Sequence, residues 1–277
     1  MSYYPKFVGG AEVAIKEITD RITDIEFHVV TLRFDSNLPK EEKIGNVVVH
    51  RIGFAIPNPS PEDLKKFPLH YMKHLYQIIA FGAAKKLHKK HKFDGIWAMM
   101  AHSTGIPAGM FKKHFSDVPY ILTLQEGDPP EHIETMMKKV WKLFKQGFER
   151  ADYLQAISTF LMDWGKKMGF SGESVLIPNA VNVKHFTEPV SDEEIKSVQE
   201  KIGKKEGETW LITTSRLVHK NAVDDVIRAM QYLPESVHFL VLGTGPDEEM
   251  LKELANDVGV ASRVHFYGFV DHGEIPA

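Results

Sequence analysis

Short apolar runs alternate with longer amphipathic segments along most of this chain, and this alternation constrains the fold more than any other feature. A buried run of four to seven residues is typical of a strand, and the segments between the runs have helical period. Strand-then-helix alternation indicates a parallel sheet with helices on its faces. The sequence therefore predicts an α/β protein with doubly wound parallel sheets.

The predicted elements follow in chain order. Strands are expected at residues 26–32, 47–53, 95–99, 120–124, 153–156, 174–177, 210–214, 237–242 and 264–267. Helices are expected at residues 11–23, 70–91, 106–114, 133–150, 223–232 and 247–258.

One charged stretch interrupts the alternation and divides the chain. Residues 188–208 are helical in propensity but poor in apolar positions, so we expect a linker there. The first domain is then residues 1–187 and the start of a second is residues 209–277. No strand precedes the Gly-rich segment at residues 3–10, and three strands with two helices make an incomplete second sheet. We expect a chain cut at both ends, with the first strand missing.

Composition excludes several classes of protein. The 277 residues are 43% hydrophobic and 26% charged with a net charge of -3, which fits a globular protein without a nucleic-acid partner. The absence of cysteine excludes disulfides, thiolate zinc sites and cysteine nucleophiles. No apolar stretch follows Met1 as a signal peptide would require, and no apolar run is long enough for a membrane span, so neither is expected. We therefore expect a cytoplasmic location.

Two glycine-marked corners are candidates for binding an anion. Gly9 and Gly10 precede a helix whose amino end would attract negative charge, and Glu12 in its first turn could contact a sugar hydroxyl. An ordinary tight turn is the commoner explanation of such a dipeptide. Gly243 and Gly245 form a Gly-x-Gly turn after a strand, where open parallel sheets bind ligands.

Charged and polar side chains follow other predicted strands. Arg216 and Lys220 stand four apart on a loop, where together they could hold a diphosphate, although a solvated basic loop is the commoner case. His102, and the segment with Gln125, Glu126 and Asp128, follow two strands of the first domain. No spacing typical of metal ligands was found, so no metal site is predicted.

The helix at residues 133–150 carries lysines beside Trp141, Phe144 and Phe148. A helix that packs its aromatic face into the core and exposes its lysines is the favoured interpretation. The alternative is peripheral contact with the inner face of an anionic membrane.

The order of the motifs resembles glycosyltransferase family 4. The segments that carry the resemblance are residues 5–12 (PKFVGGAE), Ile157-Ser158, residues 177–182 (IPNAVN) with Phe186, residues 215–218 (SRLV) with Lys220, residues 243–246 (GTGP) and residues 266–270 (FYGFV). The resemblance runs from residue 3 to residue 277 in the family's order.

This resemblance implies a GT-B fold, in which two Rossmann-like doubly wound parallel sheets face each other across a cleft; the second is incomplete here. The first domain would hold the acceptor, a glycan or lipid-linked molecule, and the second a nucleotide-sugar donor. By this resemblance, Gly9 and Gly10 would approach the donor phosphates, and Arg216 and Lys220 would neutralise the diphosphate. Gly243 and Gly245 would line the nucleotide pocket, and Phe269 and Val270 would hold the base. The residues that would face the sugar or acceptor are His102, Gln125, Asp128 and Asn179.

The resemblance also implies transfer of a hexosyl group with retention of configuration, without a metal or cofactor. The family's lysine usually stands five residues after the arginine, at the position of Asn221, so Lys220 or Asn221 could fill the phosphate clamp. A Glu-x7-Glu element of the family would lie past Ala277, and we expect this chain alone to be catalytically silent. The alternative is a non-catalytic nucleotide- or glycan-binding remnant. A nicotinamide oxidoreductase ranks far behind, because the third fingerprint glycine is absent.

Overall fold

The computed structural model describes residues 3–6, 8–60 and 62–275, with no side-chain description for His272. The chain forms two compact units, unit 1 (Met1–Ala180) and unit 2 (Val181–Ala277). Both units alternate strands with helices, as the apolar pattern predicts.

Unit 1 contains two sheets within its described residues. Its strands are β1 (Phe27–Leu32), β2 (Glu41–Ile44), β3 (Val47–Ile52), β4 (Ile96–Met99), β5 (Tyr120–Leu124), β6 (Tyr153–Ala156) and β7 (Glu173–Leu176). Its helices are α1 (Gly10–Thr19), α2 (Leu69–His91), α3 (Ile106–His114), α4 (Pro130–Met137), α5 (Trp141–Glu149) and α6 (Thr159–Lys167). The strand orders are β1-β3-β2 and β4-β5-β6-β7, and the four-stranded sheet is parallel throughout.

The short strand β2 is missing from the sequence prediction. Its four residues (EEKI) are mostly charged, so they carry no apolar signal, yet β2 pairs antiparallel with β3. Gly45, at φ 56°, and Asn46 close the hairpin, and the Asp20 carboxylate accepts the backbone N–H of Asn46. Glycine suits this turn because a left-handed conformation costs it little.

The single helix predicted at residues 133–150 is wrong. The structure has two helices, α4 and α5, joined by a 3-10 turn at Lys138–Val140. Val140 leaves the helical region at φ -123° and ψ 22°, and its β-branched side chain has low helix propensity. Phe144 and Phe148 are fully buried, as the core-facing interpretation requires.

The largest core of unit 1 lies around β5 and β6. Tyr120, Leu122, Leu124 and Leu154 are completely buried there, and helices α4, α5 and α6 cover them. A smaller core joins α2 to β1 and β3, through residues such as Leu32, Leu69 and Tyr76. These cores fix the strand ends from which the candidate side chains project.

Unit 2 contains α7 (Val183–Thr187), α8 (Asp192–Ile202), β8 (Thr209–Thr214), α9 (Val223–Ala229), β9 (Val237–Leu242), α10 (Glu248–Asp257) and β10 (Val264–Gly268). Its sheet is parallel with the order β10-β9-β8. Within the predicted linker, α8 begins with a capping box between Ser191 and Glu194. The separate core of unit 2 centres on Phe239, Val241 and Ile227.

Candidate functional site

In unit 2 the segments that follow β8, β9 and β10 lie side by side. The backbone N–H of Ser215 donates to the carbonyl of Leu242 at 3.0 Å, and that of Gly243 donates to Gly268 at 2.7 Å. These bonds continue the sheet past the ends of its strands. The carboxyl edge of this sheet therefore carries the Arg216 loop, the Gly243–Pro246 turn and the segment after β10 together.

The two glycines of the turn are required by close packing. A Cβ at Gly243 would lie 2.0 Å from the carbonyl oxygen of Ser215, and one at Gly245 would lie 2.0 Å from that of Leu217. Gly243 also has φ 139°, which favours glycine. The Gly-x-Gly signal thus marks the contact between the turn and the preceding loop.

Arg216 projects from this edge with an exposed side chain. Among the described residues, its guanidinium has no hydrogen-bond or ion-pair partner, so the cation is available to an anion. Lys220 lies four residues further, exposed in the 3-10 turn His219–Asn221. The Asn221 amide donates to the carbonyl of Arg216 at 2.6 Å, so Asn221 holds the loop while Lys220 presents a charge.

After β10, Phe269 is 77% exposed and Val270 is half-buried. Gly268, at φ 88°, turns the chain at the end of the strand. An exposed aromatic ring beside a strand end offers a flat apolar surface, which suits stacking against a base.

In unit 1 the connection from β4 to α3 is a π-helical turn, Ala101–Gly105. Met100 begins it at φ 66°, an unusual conformation for a side chain of that size. The Ala101 N–H donates to Oε1 of Glu126 at 2.6 Å, and the Glu126 side chain is fully buried. The end of β5 thereby fixes the turn that follows β4.

His102 lies on this turn with its side chain 23% exposed. Its Nδ1 is 3.6 Å from Oε1 of Glu126, too long for a hydrogen bond, and its Nε2 is 3.0 Å from the Ser103 hydroxyl. Gln77 of α2 donates to the carbonyls of His102 and Ser103 at 3.2 and 3.4 Å. The His102 turn is therefore held by α2 and by the end of β5, and it presents an imidazole at the strand end.

Gln125 and Asn179, distant in sequence, meet at the same edge. Nε2 of Gln125 donates to Oδ1 of Asn179 at 2.9 Å. Gln125 follows β5 and Asn179 follows β7, so the contact spans the carboxyl end of the sheet. Asp128 lies three residues past Gln125 and is half-buried. The predicted polar residues of this sheet thus include a directly bonded pair.

The Gly9–Gly10 corner is exposed at the start of α1. Oε2 of Glu12 accepts the Gly9 N–H at 2.9 Å, so this carboxylate caps the amino end of its own helix. A Cβ at Gly10 would meet nothing within 4 Å. The chain itself does not require glycine at position 10, which leaves room for an approaching molecule.

Several residues of these sites were absent from the predicted set. Ser103 and Gln77 hold the His102 turn and were not predicted, whereas Asn221, which was considered for the phosphate clamp, instead anchors the Arg216 loop. The small polar run between β4 and α3, residues 101–105 (AHSTG), was a usable signal for Ser103. Gln77 carries no such signal, because α2 meets the turn only in the folded chain.

Comparison with known proteins places the two units in one class. Residues 8–185 match the family model described as Glycosyltransferase Family 4, and residues 194–277 match the model described as Glycosyl transferases group 1. Among the described residues, no helix has the length and apolar character to cross a bilayer.

Curated relatives include an uncharacterised glycosyltransferase of Methanocaldococcus jannaschii, 23% identical over 97% of this chain and 68% of its own length. An alpha-monoglucosyldiacylglycerol synthase of Streptococcus pneumoniae is 27% identical over 70% of this chain and 46% of its own length. The same synthase of Acholeplasma laidlawii is 24% identical over 39% of this chain, a match that covers 28% of the relative.

Among solved structures, HepE of Anabaena in complex with UDP aligns over 99% of this chain and 69% of its own, with a TM-score of 0.68 and 16% identity. A trehalose-6-phosphate protein of E. coli with bound UDP-2-fluoro glucose aligns with a TM-score of 0.65, 11% identity, 98% of this chain and 73% of its own. These likenesses confirm the predicted α/β architecture of the GT-B type. Because one family model covers most of the chain and the motifs follow its order, this protein belongs to glycosyltransferase family 4.

Proposed function

We propose that this protein takes part in transfer of a hexosyl group from a nucleoside diphosphate sugar to a glycan or lipid-linked acceptor, with retention of configuration. The observation that carries the proposal is the carboxyl edge of the unit 2 sheet. There Arg216, whose guanidinium has no partner within the described part of the chain, stands on a loop packed directly against the Gly243–Pro246 turn. An arginine fork suits a diphosphate, and an adjoining exposed Phe269 suits a base.

In this mechanism the leaving group is a nucleoside diphosphate, whose negative charge grows as the glycosidic bond to phosphate breaks. Arg216 and Lys220 stabilise that charge, taking the role that a divalent metal has in other sugar transferases. The departing phosphate oxygen accepts the proton of the acceptor hydroxyl on the face from which that hydroxyl attacks. The new bond then forms with the original anomeric configuration, and no protein nucleophile is required.

The unit 1 residues supply positioning on the acceptor side. His102 and the Gln125–Asn179 pair stand at the carboxyl end of one sheet, with donors and acceptors suited to sugar hydroxyls. Glu126 acts through the backbone of the His102 turn. The amino end of α1 beside Gly9 and Gly10 would suit a negatively charged group of a substrate.

The test is nucleotide binding by the purified chain, with uridine, guanosine and adenosine diphosphates measured by calorimetry. We expect one of them to bind, and Arg216→Ala to weaken it by roughly 10- to 100-fold, the effect of losing about 1.5–3 kcal/mol from a charged hydrogen bond. Lys220→Ala should weaken binding more than Asn221→Ala if the lysine supplies the charge. The matched control is Arg228→Ala, an exposed arginine of α9.

Equal affinity in the Arg216→Ala and Arg228→Ala variants, or no binding of any nucleotide, would contradict the proposal. Transfer of a sugar by the purified chain to a glycan or lipid acceptor would contradict both the non-catalytic alternative and the expectation that this chain alone is silent. Where transfer is seen, NMR of the product's anomeric proton distinguishes retention from inversion.

The two relatives named as alpha-monoglucosyldiacylglycerol synthases support the proposal of a peripheral membrane contact for this chain, because their name refers to a lipid. Around the turn between α4 and α5, Met136, Trp141 and Leu143 keep 49%, 36% and 42% of their side chains exposed. Lys139 and Lys142 stand beside them. An apolar surface ringed by lysines suits the boundary of an anionic bilayer.

Sedimentation with phosphatidylglycerol vesicles tests this contact. We expect the double variant Lys139→Glu/Lys142→Glu to reduce binding at least roughly tenfold, since each lysine near such a surface contributes about 1 kcal/mol. The control is Lys166→Glu/Lys167→Glu, an equal charge change at the exposed end of α6. Equal loss in both pairs would remove the support for this surface.

A further inference from the structure

Three potential metal ligands meet at the amino end of β1, away from the carboxyl strand ends that carry the candidate site. Glu26 precedes β1, His28 is its second residue, and His91 is the last residue of α2. One ligand atom from each lies within 4.8 Å of the other two. The imidazoles of His28 and His91 are 4.5 Å apart between ring centroids.

A chain of hydrogen bonds continues from this group into the sheet. Nε2 of His28 is 2.7 Å from Oε1 of Glu26, and its Nδ1 is 2.8 Å from Nε2 of His50 on β3. Nδ1 of His50 is 3.1 Å from Oε2 of Glu41 on β2. The side chains of His28 and His50 are almost completely buried, whereas both carboxylates are mostly exposed.

This series of hydrogen bonds has one hydrogen fewer than it has contacts. Three contacts between Glu26, His28, His50 and Glu41 need three hydrogens, but two neutral imidazoles supply only two. If both histidines donate towards Glu41, Nε2 of His28 faces the Glu26 carboxylate lone pair to lone pair. A cation between these two atoms removes the conflict and leaves every other contact satisfied.

His91 supplies the observation that favours a metal ion over a proton in that place. Its Nε2 is buried and has no hydrogen-bond partner among the residues that the structure describes. A proton shared by Glu26 and His28 leaves that nitrogen unsatisfied, whereas a metal ion would take it as a third ligand. The His91 ring is held by Phe93, which stacks parallel to it with centroids 5.7 Å apart.

We propose that Glu26, His28 and His91 bind a zinc ion that fastens the end of α2 to the start of β1. Two imidazoles and a carboxylate are ligands that Zn²⁺ accepts at about 2.0–2.2 Å, with a water in the fourth position. Tetrahedral ligands then stand about 3.3 Å apart. Glu26 therefore moves roughly 0.6 Å away from His28, which its exposed side chain permits, and the ligand atoms that lie up to 4.8 Å apart draw closer around the ion. His50 and Glu41 orient His28 through its other nitrogen, an arrangement common around bound zinc.

The test uses the full chain with any affinity tag removed, stripped by chelator and dialysed against zinc chloride. We expect one zinc per chain by elemental analysis, a higher melting temperature with Zn²⁺ and no such rise with Mg²⁺. Co²⁺ in place of zinc should give the visible absorption of a histidine-ligated site. Bound zinc well below one per chain would overturn the proposal.

Variants locate the site. Glu26→Gln changes an exposed residue and should weaken zinc binding at least roughly tenfold while the chelator-treated protein keeps its melting temperature. His91→Ala should do the same. The control is His238→Ala in unit 2. Nδ1 of His238 meets Nε2 of His265 at 2.9 Å and its Nε2 is 3.5 Å from Oε1 of Glu208, but these three side chains do not form a potential metal-binding group among the described residues.

One zinc per chain with unchanged affinity in both Glu26→Gln and His91→Ala, or loss of zinc in His238→Ala, would overturn the assignment to this site.

Discussion

At the scale of single residues, the structure shows hydrogen-bond partners that the sequence does not reveal for several side chains. Glu12 caps α1 through the Gly9 N–H, and Glu126 fixes the His102 turn from a fully buried position. The loops of Arg216 and Gly245 each follow a predicted strand of a parallel sheet, and the carboxyl ends of such strands lie at one edge, so their common edge could be inferred from the sequence. The group of Glu26 and His91 could not be predicted, since these residues become neighbours only when α2 packs on β1.

His265 gives a pH dependence to unit 2. Burial, and then the neighbouring His238, lower the pKa of His265, which also stacks on Trp210 with centroids 4.6 Å apart. The unfolded chain therefore binds a proton more readily than the folded chain, and the free energy of unfolding falls as the pH drops below about 6.5. We expect the melting temperature of unit 2, followed by Trp210 fluorescence, to fall between about pH 7.5 and 5.5.

The His265→Asn variant should show a smaller fall over the same range, because it removes the titrating ring. Glu208, which stands 3.5 Å from His238, remains in both proteins. A slope as steep in His265→Asn as in the original chain would show that another group is responsible.

At the scale of elements, the apolar pattern located the strands well and the helix ends less well. Strands β5, β6 and β9 occupy the predicted residues. A strand that is buried on both faces of a parallel sheet appears in the sequence as a short continuous apolar run, so such runs locate it well. The break between α4 and α5 and the π-helical turn after β4 were not predicted, and the turn in particular depends on packing against α5. Gly147 of α5 shows this: a Cβ there would lie 2.8 Å from the carbonyl oxygen of Gly105 in that turn.

Two helical glycines should therefore respond oppositely to alanine. Gly147→Ala forces α5 and the turn apart, and we expect a loss of about 1–3 kcal/mol in the free energy of unfolding. At Gly82, exposed in α2, a Cβ meets nothing within 4 Å, so Gly82→Ala should gain about 0.5–1 kcal/mol through helix propensity. Urea unfolding followed by circular dichroism measures both changes. A neutral Gly147→Ala would contradict the close contact.

At the scale of the whole molecule, each unit has a core of its own. The buried clusters of unit 1 draw on residues up to Phe170, and that of unit 2 begins at Leu217. The charged stretch at 188–208, which carries few apolar residues, suggested a linker, and the two units divide between Ala180 and Val181, a few residues before it. The hairpin β2-β3 was not predicted, and neither were the two separate sheets of unit 1.

Separate cores predict two unfolding transitions. Trp210 is the single tryptophan of unit 2, whereas Trp97, Trp141 and Trp164 belong to unit 1. We expect fluorescence and circular dichroism to give different melting curves, with one fluorescence step absent in Trp210→Phe. A single step at one temperature by both probes, unchanged in Trp210→Phe, would show that the units unfold together.

The close packing of Gly243 and Gly245 against the carbonyls of Ser215 and Leu217 limits the ways in which ligand selectivity can change in this protein. Because backbone packs directly against backbone there, the path of these two loops can hardly change. Binding of a different base or sugar then has to come from changes in the side chains that project from this fixed backbone, such as those at positions 216, 220 and 269. Randomising those three positions is accordingly a more promising route to altered selectivity than remodelling the loops that carry them.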